Sequence, residues 1–440
     1  MTTDNESPLL PKLRFPEFRD GPNWLAPQIS DLYGFKRTNS LSRDKLNYET
    51  GTIRNIHYGD IHTRLKSLFR AIDEHLPFIN PDASTNGFDD DAFCSVGDIV
   101  FADASEDLDD VGKAIEVVSL NGECVVAGTH TILATRRADI PVVGFGGQLF
   151  QSPRVRTRIK REAQGAKVYG ISANRISSVA IPVPPTVAEQ QKIADCLGSL
   201  DDLITAEDRK LAALRQYKIG LMRELFPLQG ETRPRLRFPE FHNAGEWEIK
   251  QLDELVRFQS GGTPSKENPA FWNGPIPWVS AKDMKRLYLE DTEDHISVAA
   301  VDDGAKLVPA GTLLMLTRGM TLRKDVPICV LRREMSFNQD VKALRPKAGV
   351  SGLFVAFVLL RNKHRLLGMV DVAGHGTGKL NTYELEAFEL ASPKLAEQQR
   401  IAACLSSVDE ILAAQLGKAE GLRARKRGLL QQLFPSLEGR

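Results

Sequence analysis

Apolar side chains recur at steps of four and three residues along two long stretches of the chain, 188–227 and 396–435. A period near 3.5 residues, sustained over several heptads, predicts a helix with one apolar seam of the kind that forms a coiled coil. The first seam comprises Ile193, Leu197, Leu200, Ile204, Leu211, Leu214, Leu221 and Leu225. The second comprises Ile401, Leu405, Val408, Leu412, Ala419, Leu422, Leu429 and Leu433. We predict two long helices, each ending at Phe-Pro.

The two stretches are copies of each other, 208 residues apart without a gap and identical at about half of their positions. A second repeat, PKLRFPEF at 11–18 and PRLRFPEF at 234–241, is followed by Trp24 and Trp247 at the same offset of 223 residues. A motif, a variable region and a long helix that occur twice predict an internal pseudo-twofold repeat.

Four polar residues interrupt the seams, Glu207 and Lys218 in the first and Gln415 and Lys426 in the second. A parallel pair of helices in register would place Lys218 opposite Lys426, which is a like-charge contact. An antiparallel pair places Glu207 opposite Lys426 and Lys218 opposite Gln415, so that each lone polar residue has a partner and fixes the register. We predict the antiparallel pair; the alternative is that each helix packs only on its own domain.

The regions between these anchors mix short β-rich runs, Gly/Asp/Asn turns and polar loops, and their sequences do not align with each other. The expected fold class is α/β (α+β), with two mixed domains separated by the two helices. We expect strands within 97–101, 114–119, 124–127, 131–135, 311–316 and 326–331, a helix at 353–360, and a long polar loop at 261–280. The expected boundaries are 1–185 for the first domain, 186–227 for the first helix, 228–235 for a linker, 236–391 for the second domain and 392–435 for the second helix.

Composition limits the class of protein further. The 440 residues are 42% hydrophobic and 26% charged with a formal net charge of zero, which is typical of a globular chain with two or more cores. A globally basic nucleic-acid binder is excluded, whereas a locally basic groove is not. Five cysteines without paired spacing favour a reducing cytoplasm, and no apolar run is long enough to cross a membrane.

Motifs for catalysis are missing from the sequence. The glycine-rich run at 374–380 differs from a phosphate-binding loop, because Ala373 stands at the first glycine position and Leu380 at the Ser/Thr position. His57 and His62 lie near Asp60 without a third ligand at metal spacing. We therefore predict neither catalytic residues nor a metal site.

Loops that combine cations, amides and hydroxyls suit nucleic acid, because Arg and Lys contact guanine edges or phosphates and Asn and Gln pair with adenine. The segment 34–64 is the first such loop. A charged surface loop without a ligand is the alternative interpretation.

Several segments together resemble the specificity subunits of type I restriction–modification enzymes. These are the Glu-Gln-Gln-x-Ile-Ala helix starts at 189–194 and 397–402, the loops at 38–64 and 261–280, AGTHTILA at 127–134, AQGAKVYGIS at 163–172 and GTGKL at 376–380. The resemblance implies two target recognition domains that each read half of a gapped double-stranded DNA target, held a fixed distance apart by an antiparallel coiled coil.

The resemblance also implies that this chain is not itself an enzyme and holds no cofactor. Two modification subunits would bind S-adenosylmethionine and methylate adenine, and restriction subunits with a DNA motor would use ATP and Mg²⁺. Two alternatives stay open: a free-standing DNA-binding or decoy protein of the same fold without methyltransferase partners, and a purely structural coiled-coil scaffold.

Resemblance and composition together nominate DNA-binding residues. For the first half-site they are Lys36, Arg37, Thr38, Asn39, Ser40, Arg43, His57, Tyr58, Thr129, His130, Lys167 and Tyr169. For the second they are Thr263, Ser265, Lys282, Arg318, Asn338, Gln339, His375, Thr377 and Lys379.

Overall fold

The structure is a computed structural model that describes residues 8–83, 88, 90–138, 140–372 and 376–437. The chain divides into two compact units. Unit 1 contains residues 1–208 and 417–440, and unit 2 contains residues 209–416. Each long helix therefore begins in one unit and ends in the other. The mixed α/β class and the two long helices agree with the prediction.

The elements up to the first long helix are short. The strands are β1 Tyr33–Lys36, β2 Leu46–Asn47, β3 Ile53–Ile56, β4 Leu68–Arg70, β5 Phe78–Ile79, β6 Ile99–Ala102, β7 Ala104–Ser105, β8 Ala114–Ser119, β9 Cys124–Ala127, β10 Thr131–Arg136 and β11 Tyr169–Gly170. The helices are α1 Ile29–Leu32, α2 Tyr58–Thr63, α3 Phe145–Gln151, α4 Pro153–Arg161, α5 Ala173–Ser177 and the long α6 Val187–Glu224.

The second half of the chain repeats this plan. Its strands are β12 Glu248–Gln251, β13 Val256–Ser260, β14 Trp272–Val279, β15 Tyr288–Leu289, β16 His295–Ile296, β17 Leu307–Val308, β18 Leu313–Leu316, β19 Arg318–Gly319, β20 Ile328–Leu331, β21 Met335–Phe337, β22 Val341–Pro346, β23 Asp371–Val372, β24 Gly378–Lys379 and β25 Glu389–Ser392. Its helices are α7 Leu252–Leu255, α8 Val298–Asp302, α9 Gly352–Arg361, α10 Lys363–Gly368, α11 Thr382–Glu386 and the long α12 Leu395–Leu433.

The main sheet of unit 1 has the order β1-β10-β6-β8-β4 and lies between two apolar layers. Ile99 and Phe101 of β6 pack towards α3, α4 and α6, whereas Val100 and Ala102 pack towards the small sheet β2-β5-β3-β9. Because both faces are covered, β6 is apolar at every position rather than at alternate ones.

The main sheet of unit 2 has the order β13-β22-β18-β20-β15, which matches that of unit 1 strand for strand. In each sheet the last two strands are parallel and the others antiparallel. Phe35 and Phe258, which share the offset of the repeated motif, occupy equivalent rungs of the two sheets. The variable regions therefore share a scaffold although their sequences do not align.

Antiparallel packing of α6 and α12 is visible inside each unit, and the predicted seam residues are all buried or half-buried. Lys426 pairs with Asp201 at 2.6 Å in unit 1, and Lys218 pairs with Asp409 at 2.5 Å in unit 2. These pairs are equivalent under the repeat of 208 residues. The same contact is thus made twice, once in each unit.

The partners that the sequence suggested for the two lysines need correction. Lys218 and Lys426 bind carboxylates that lie six positions before the predicted Gln415 and Glu207. Glu207 pairs with Lys418. The prediction considered only the residues that interrupt the seam, whereas a long lysine side chain reaches a carboxylate beside the seam and gains a charge-assisted hydrogen bond.

The repeated motifs form one buried anchor in each unit. The guanidinium of Arg14 donates two hydrogen bonds to Glu189, at 2.8 and 2.7 Å, and the Trp24 indole donates a third at 3.1 Å. In unit 2 Arg237 donates two bonds of 2.7 Å to Glu397, and Trp247 donates a third at 3.3 Å. The anchor explains why the Arg-Phe-Pro motif and the Glu-Gln-Gln motif repeat together.

The segment 261–280, predicted to be a long polar loop, is a loop only in its first half. Residues Trp272–Val279 form β14, which pairs with β16 and β21. Trp272 and Trp278 make an edge-to-face contact at 5.2 Å. The strand forms although it contains Gly274, Pro275 and Pro277, which disfavour β structure, and the aromatic contact favours it.

A carboxylate lies inside the apolar layers of unit 1. Glu116, in β8, accepts hydrogen bonds from the backbone N–H groups of Gly144 and Gly147 at 2.9 and 2.6 Å. It therefore caps the N-terminus of α3, which has no side-chain cap of its own. Burial raises the pKa of this carboxyl to about 7.

Candidate nucleic-acid interface

Most predicted residues of the first half-site come from three segments that contact one another, 36–43, 57–58 and 129–130. Thr38 Oγ1 donates to the Thr131 carbonyl at 3.0 Å, and Thr129 Oγ1 donates to the Leu41 carbonyl at 2.7 Å. These bonds hold the segment after β1 against the turn between β9 and β10. The sequence placed these loops together only by resemblance; the hydrogen bonds give the physical reason.

Aromatic and imidazole rings cluster beside this junction. The Tyr58 ring lies 4.6 Å from the His57 ring and 5.3 Å from the His130 ring. His130 has a φ of 56°, and its Nδ1 lies 3.2 Å from Asp103 Oδ1. These rings offer both stacking faces and hydrogen-bonding edges, which are the groups that contact bases.

His57 has a defined role in this cluster. Its Nδ1 accepts a hydrogen bond of 3.2 Å from the Gly59 backbone N–H and so caps α2. Burial lowers the pKa of His57, and the charge on Arg43 lowers it further. The ring is thus neutral at pH 7, and because Nδ1 is the acceptor, Nε2 carries the proton.

Arg43 and Arg64 hold a common carboxylate. Arg43 donates to both oxygens of Asp60, at 3.1 and 2.9 Å, and Arg64 lies 2.8 Å from one of them. The Asp60 side chain is 1% exposed, while those of Arg43 and Arg64 are 50% and 41% exposed. The buried acid therefore fixes two solvent-facing cations.

Other predicted residues of the first set have structural partners or lie on neighbouring surface. Asn39 uses its amide on the Ala127 carbonyl, Leu41 N–H and Asn55, and Lys36 pairs with Asp91 at 2.8 Å. Among the remaining residues of this set, three are exposed, namely Arg37, Ser40 and Lys167. Tyr169 lies in β11 and is half-buried. Asn39 is thus bound within the fold, whereas the exposed side chains face solvent.

Most predicted residues of the second set fall into two groups, one near the start of the 261–280 segment and one on the small sheet β19-β24-β23, and Lys282 lies apart from both. Thr263 donates to Gln339, and both are exposed near the start of the 261–280 segment. Asn338 is 8% exposed, and its amide oxygen accepts from the Asp340 N–H at 3.1 Å, so it shapes the turn. Ser265 Oγ accepts from the Glu267 N–H at 3.3 Å.

The second group lies on the small sheet β19-β24-β23. Arg318 and Lys379 are directly opposite each other on neighbouring antiparallel strands, and both are exposed. Within the described part of the chain, neither side chain has an ion-pair or hydrogen-bond partner. Like charges directly opposite each other are destabilising in a sheet. Asp371 of β23 lies opposite Lys379 on its other side, so this repulsion is partly compensated. The two exposed cations form a candidate anion-binding surface in unit 2.

The segment around this pair explains the GTGKL motif. Gly376 has a φ of 85°, and a Cβ atom at Gly378 would lie 2.8 Å from Leu322 Cβ. Gly376 also lies close to the guanidinium of Arg323, a cation that the sequence reasoning missed. Thr377 lies between these two glycines and is half-buried, whereas His375 falls outside the described residues.

Lys282 does not belong with the rest of the second set. It pairs with Glu293 and Asp294 at 3.0 Å each, and these hydrogen bonds raise its pKa. It lines a cavity of about 820 Å³ together with Tyr288, Asp409 and other residues of unit 2. Its charge is already neutralised by two neighbouring acids.

Sequence reasoning also missed Asp60 and Arg64 as members of the first surface. The available signal was the recurrence of cations at positions 43 and 64 on either side of an acid in a short helix, which is weak without a structure.

Among the described residues, the structure contains no group of three or more His, Cys, Asp or Glu arranged to hold a metal. None of the described helices is both long and apolar enough to cross a membrane.

The fold and these surfaces define a class of protein: two mixed α/β units whose main sheets have the same strand order, joined by two long helices, with polar and cationic loops that differ between the units. The model of the type I restriction modification DNA specificity domain matches residues 149–216 and 244–420, which is more than half of the chain. The chain belongs to this family.

Relatives within the family match parts of the chain. The specificity subunit of the Escherichia coli EcoR124I/EcoR124II type I restriction enzyme is 32% identical over 169 residues, which are 38% of this chain and 42% of the relative. The MjaVIII specificity subunit of Methanocaldococcus jannaschii is 29% identical over 292 residues, 63% of this chain and 66% of that relative. The chain thus spans about two-fifths of the first relative and about two-thirds of the second.

Solved structures match the fold over nearly the whole chain. The S subunit of a type I restriction–modification system from M. genitalium has a TM-score of 0.61 and 15% identity, with 98% of this chain and 100% of that chain covered. A chain from a structural study of complex assembly and conformational transition in a type I system has a TM-score of 0.53 and 16% identity, with coverages of 94% and 97%. At these identities the likeness concerns the fold.

Proposed function

We propose that the chain is the DNA-reading specificity subunit of a type I restriction–modification complex and recognises a two-part, gapped DNA target. The observation that carries this proposal is the repetition of one sheet and one buried anchor beneath loops that differ between the units. A shared scaffold with different loops suits the recognition of two different half-sites. Base readout is then carried by loop side chains and positioning by phosphate contacts.

In this proposal residues 1–185 and 236–391 are the two target recognition domains, and the long helices at 186–227 and 392–435 set the gap between half-sites. A helix of 38 residues is about 57 Å long at 1.5 Å per residue. Two half-site contacts joined by a stiff spacer bind more tightly than either alone, because the second contact forms at a high effective concentration.

Modification subunits are the partners that we propose for the outer faces of the long helices. Apolar side chains there are about half exposed although they lie on well-formed helices, namely Leu203, Tyr217, Ile219 and Ile411. Exposed apolar surface of this kind marks protein-binding sites. The chain itself is proposed to be non-catalytic. S-adenosylmethionine would bind to modification subunits, and ATP and Mg²⁺ to restriction subunits.

Methylation-sensitive sequencing of the host genome, with the gene present and deleted, tests the proposal. We expect one gapped, two-part motif with methylated adenine to disappear on deletion. Unchanged methylation, together with the absence of a co-purifying methyltransferase, would favour the free-standing DNA-binding or decoy alternative. Failure of the purified chain to bind any DNA, alone or with co-purifying subunits, would favour a structural scaffold.

A further inference from the structure

We infer that Asp60 is a positioning residue for base recognition, which holds Arg43 and Arg64 as a rigid pair of base-reading cations in the first half-site. This inference rests on the proposed function and adds the residues that determine specificity. Asp60 lies in α2, Arg43 begins a short turn before β2, and Arg64 follows α2. One buried carboxylate thus joins two separate segments of the surface.

The geometry leaves donors of both arginines available. Arg43 directs two of its five N–H groups to Asp60, and Arg64 Nη2 serves both Asp60 and the Tyr48 hydroxyl, at 2.8 Å each. About half of each side chain is exposed. An arginine fixed by a carboxylate loses less side-chain entropy on binding than a free one, which favours directional contacts with a base edge.

Charge also points to an electron-rich ligand. Two guanidinium groups share one carboxylate, so the cluster keeps an excess positive charge. His57 adds none at neutral pH, because burial lowers its pKa. The acceptor atoms O6 and N7 of guanine match the paired N–H groups of an arginine, and this is the commonest specific contact in the major groove.

The surroundings of the pair supply flat apolar faces. The Tyr48 ring stacks on the His75 ring at 5.0 Å with an interplanar angle of 22°, and the Arg64 guanidinium lies 5.4 Å from the Tyr48 ring centroid. Tyr48 is 41% exposed. The aromatic stack limits the movement of Arg64 from one side, while Asp60 holds it from the other.

A purely structural role for Asp60 predicts a different result. If Asp60 only joined α2 to the turn at Arg43, its loss would lower stability and weaken binding to every DNA sequence equally. A positioning role predicts a change in base preference at one or two positions within one half of the target. The two roles are therefore separated by sequence preference rather than by affinity.

The experiment selects bound sequences from a random double-stranded DNA library, using the full-length chain with any subunits that co-purify. Asp60→Asn and Arg43→Lys are compared with the unaltered protein, and thermal melting confirms folding. We expect both to relax base preference by about tenfold or more in the same half-site and to leave the other half unchanged. Arg43→Lys keeps the charge on an exposed side chain and decides the question if Asp60→Asn fails to fold.

Arg70→Lys is the matched control, because Arg70 is a half-buried arginine of unit 1 paired with Asp202 at 3.2 Å. It should leave both half-sites unchanged. If the unaltered protein selects a gapped motif and both variants select the same motif equally strictly, the inference about Asp60 is wrong. The proposed function would still stand. If the unaltered protein selects no motif, the proposed function fails and this inference fails with it.

Discussion

At the surface of unit 1 two arginines share the buried carboxylate of Asp60. In unit 2 Lys379 lies between Arg318 and Asp371 of its neighbouring strands, and no ion pair among the described residues holds either cation. The first arrangement restricts the cations to one geometry. The second leaves two exposed cations without a carboxylate that fixes their geometry among the described residues. Arginines held by a carboxylate suit base edges, and exposed cations without such a partner suit phosphates.

The buried residues beneath these surfaces also differ between the two units. Glu116 of β8 and Val330 of β20 occupy equivalent rungs, because each lies on the rung that contains Phe35 or Phe258. In unit 1 the helix after the sheet is capped by Glu116, and in unit 2 the corresponding cap is Ser351. The scaffold has thus kept its strand order while its polar interior has diverged.

The largest expected effect concerns what the units share. Glu189→Ala and Glu397→Ala each remove a carboxylate, 2% and 3% exposed, that pairs with a buried arginine. Breaking a buried pair by removing one partner costs about 3–5 kcal/mol. We expect each substitution to destabilise its own unit by a similar amount, measured by urea unfolding with hydrogen exchange resolved by peptide.

The repeat supplies matched controls for this pair. Lys192 and Arg400 occupy equivalent positions and make surface ion pairs with Glu17 and Glu240 at 3.0 Å. Lys192→Ala and Arg400→Ala should each leave the stability of their unit nearly unchanged, because water screens exposed ion pairs. A large loss in only one unit after the two glutamate substitutions would contradict the view that the anchors are equivalent.

The next effect is confined to unit 1. Burial raises the pKa of Glu116 to about 7 from an ordinary value of 4.5. Between pH 4.5 and 7, Glu116 is therefore protonated in the folded unit and ionised in the unfolded chain. The unit's free energy of unfolding should therefore fall by about 3 kcal/mol as the pH rises from about 4.5 to about 7, and then level off. Peptide-resolved hydrogen exchange at several pH values measures this.

Glu116→Gln tests the origin of that slope. The amide cannot ionise, so the fall between pH 4.5 and 7 attributed to Glu116 should disappear. Stability at low pH should decrease by about 1–3 kcal/mol, because one of the two glycine N–H groups loses its acceptor. Unit 2, with Val330 at this rung, serves as the internal reference. An unchanged slope in the variant would assign the pH dependence to other groups.

The parts that the sequence predicts well are those governed by local periodicity. The 3.5-residue period located both long helices to within a few residues, and apolar runs located β8 and β9 at their observed bounds. Resemblance supplied the loops of the candidate surface. Their hydrogen bonds, such as Thr38 with Thr131, join residues far apart in the chain and leave no local pattern.

The parts that it misses depend on partners distant in sequence. The Glu189 carboxylate at the start of the first long helix accepts hydrogen bonds from Arg14 and Trp24, which lie far earlier in the chain. Lys218 and Lys426 likewise find aspartates beside the seam rather than in it. In each case a polar side chain has several candidate partners, and only the tertiary structure selects one.

The smallest expected effect tests the exposed cations Arg318 and Lys379 of unit 2. Lys379→Ala should weaken binding to all DNA sequences and reduce the dependence of log affinity on log salt concentration by about one, because one phosphate contact releases about one counterion. Arg318→Ala should act in the same way. Neither should alter base preference, in contrast to Arg43→Lys. Fluorescence anisotropy at several salt concentrations measures both quantities.

A second readout separates this role from a structural one. Removing Lys379 relieves its repulsion with Arg318 but also removes its attraction to Asp371, so the free energy of unfolding should change by no more than a few tenths of a kcal/mol. Lys250→Ala is the control, since Lys250 is also a lysine of unit 2 but pairs with Glu248 at 2.8 Å, and it should leave the salt dependence unchanged. If Lys379→Ala instead changed which bases are selected, Lys379 would read bases. The presence or absence of a carboxylate partner would then not distinguish cations that read bases from cations that bind phosphates.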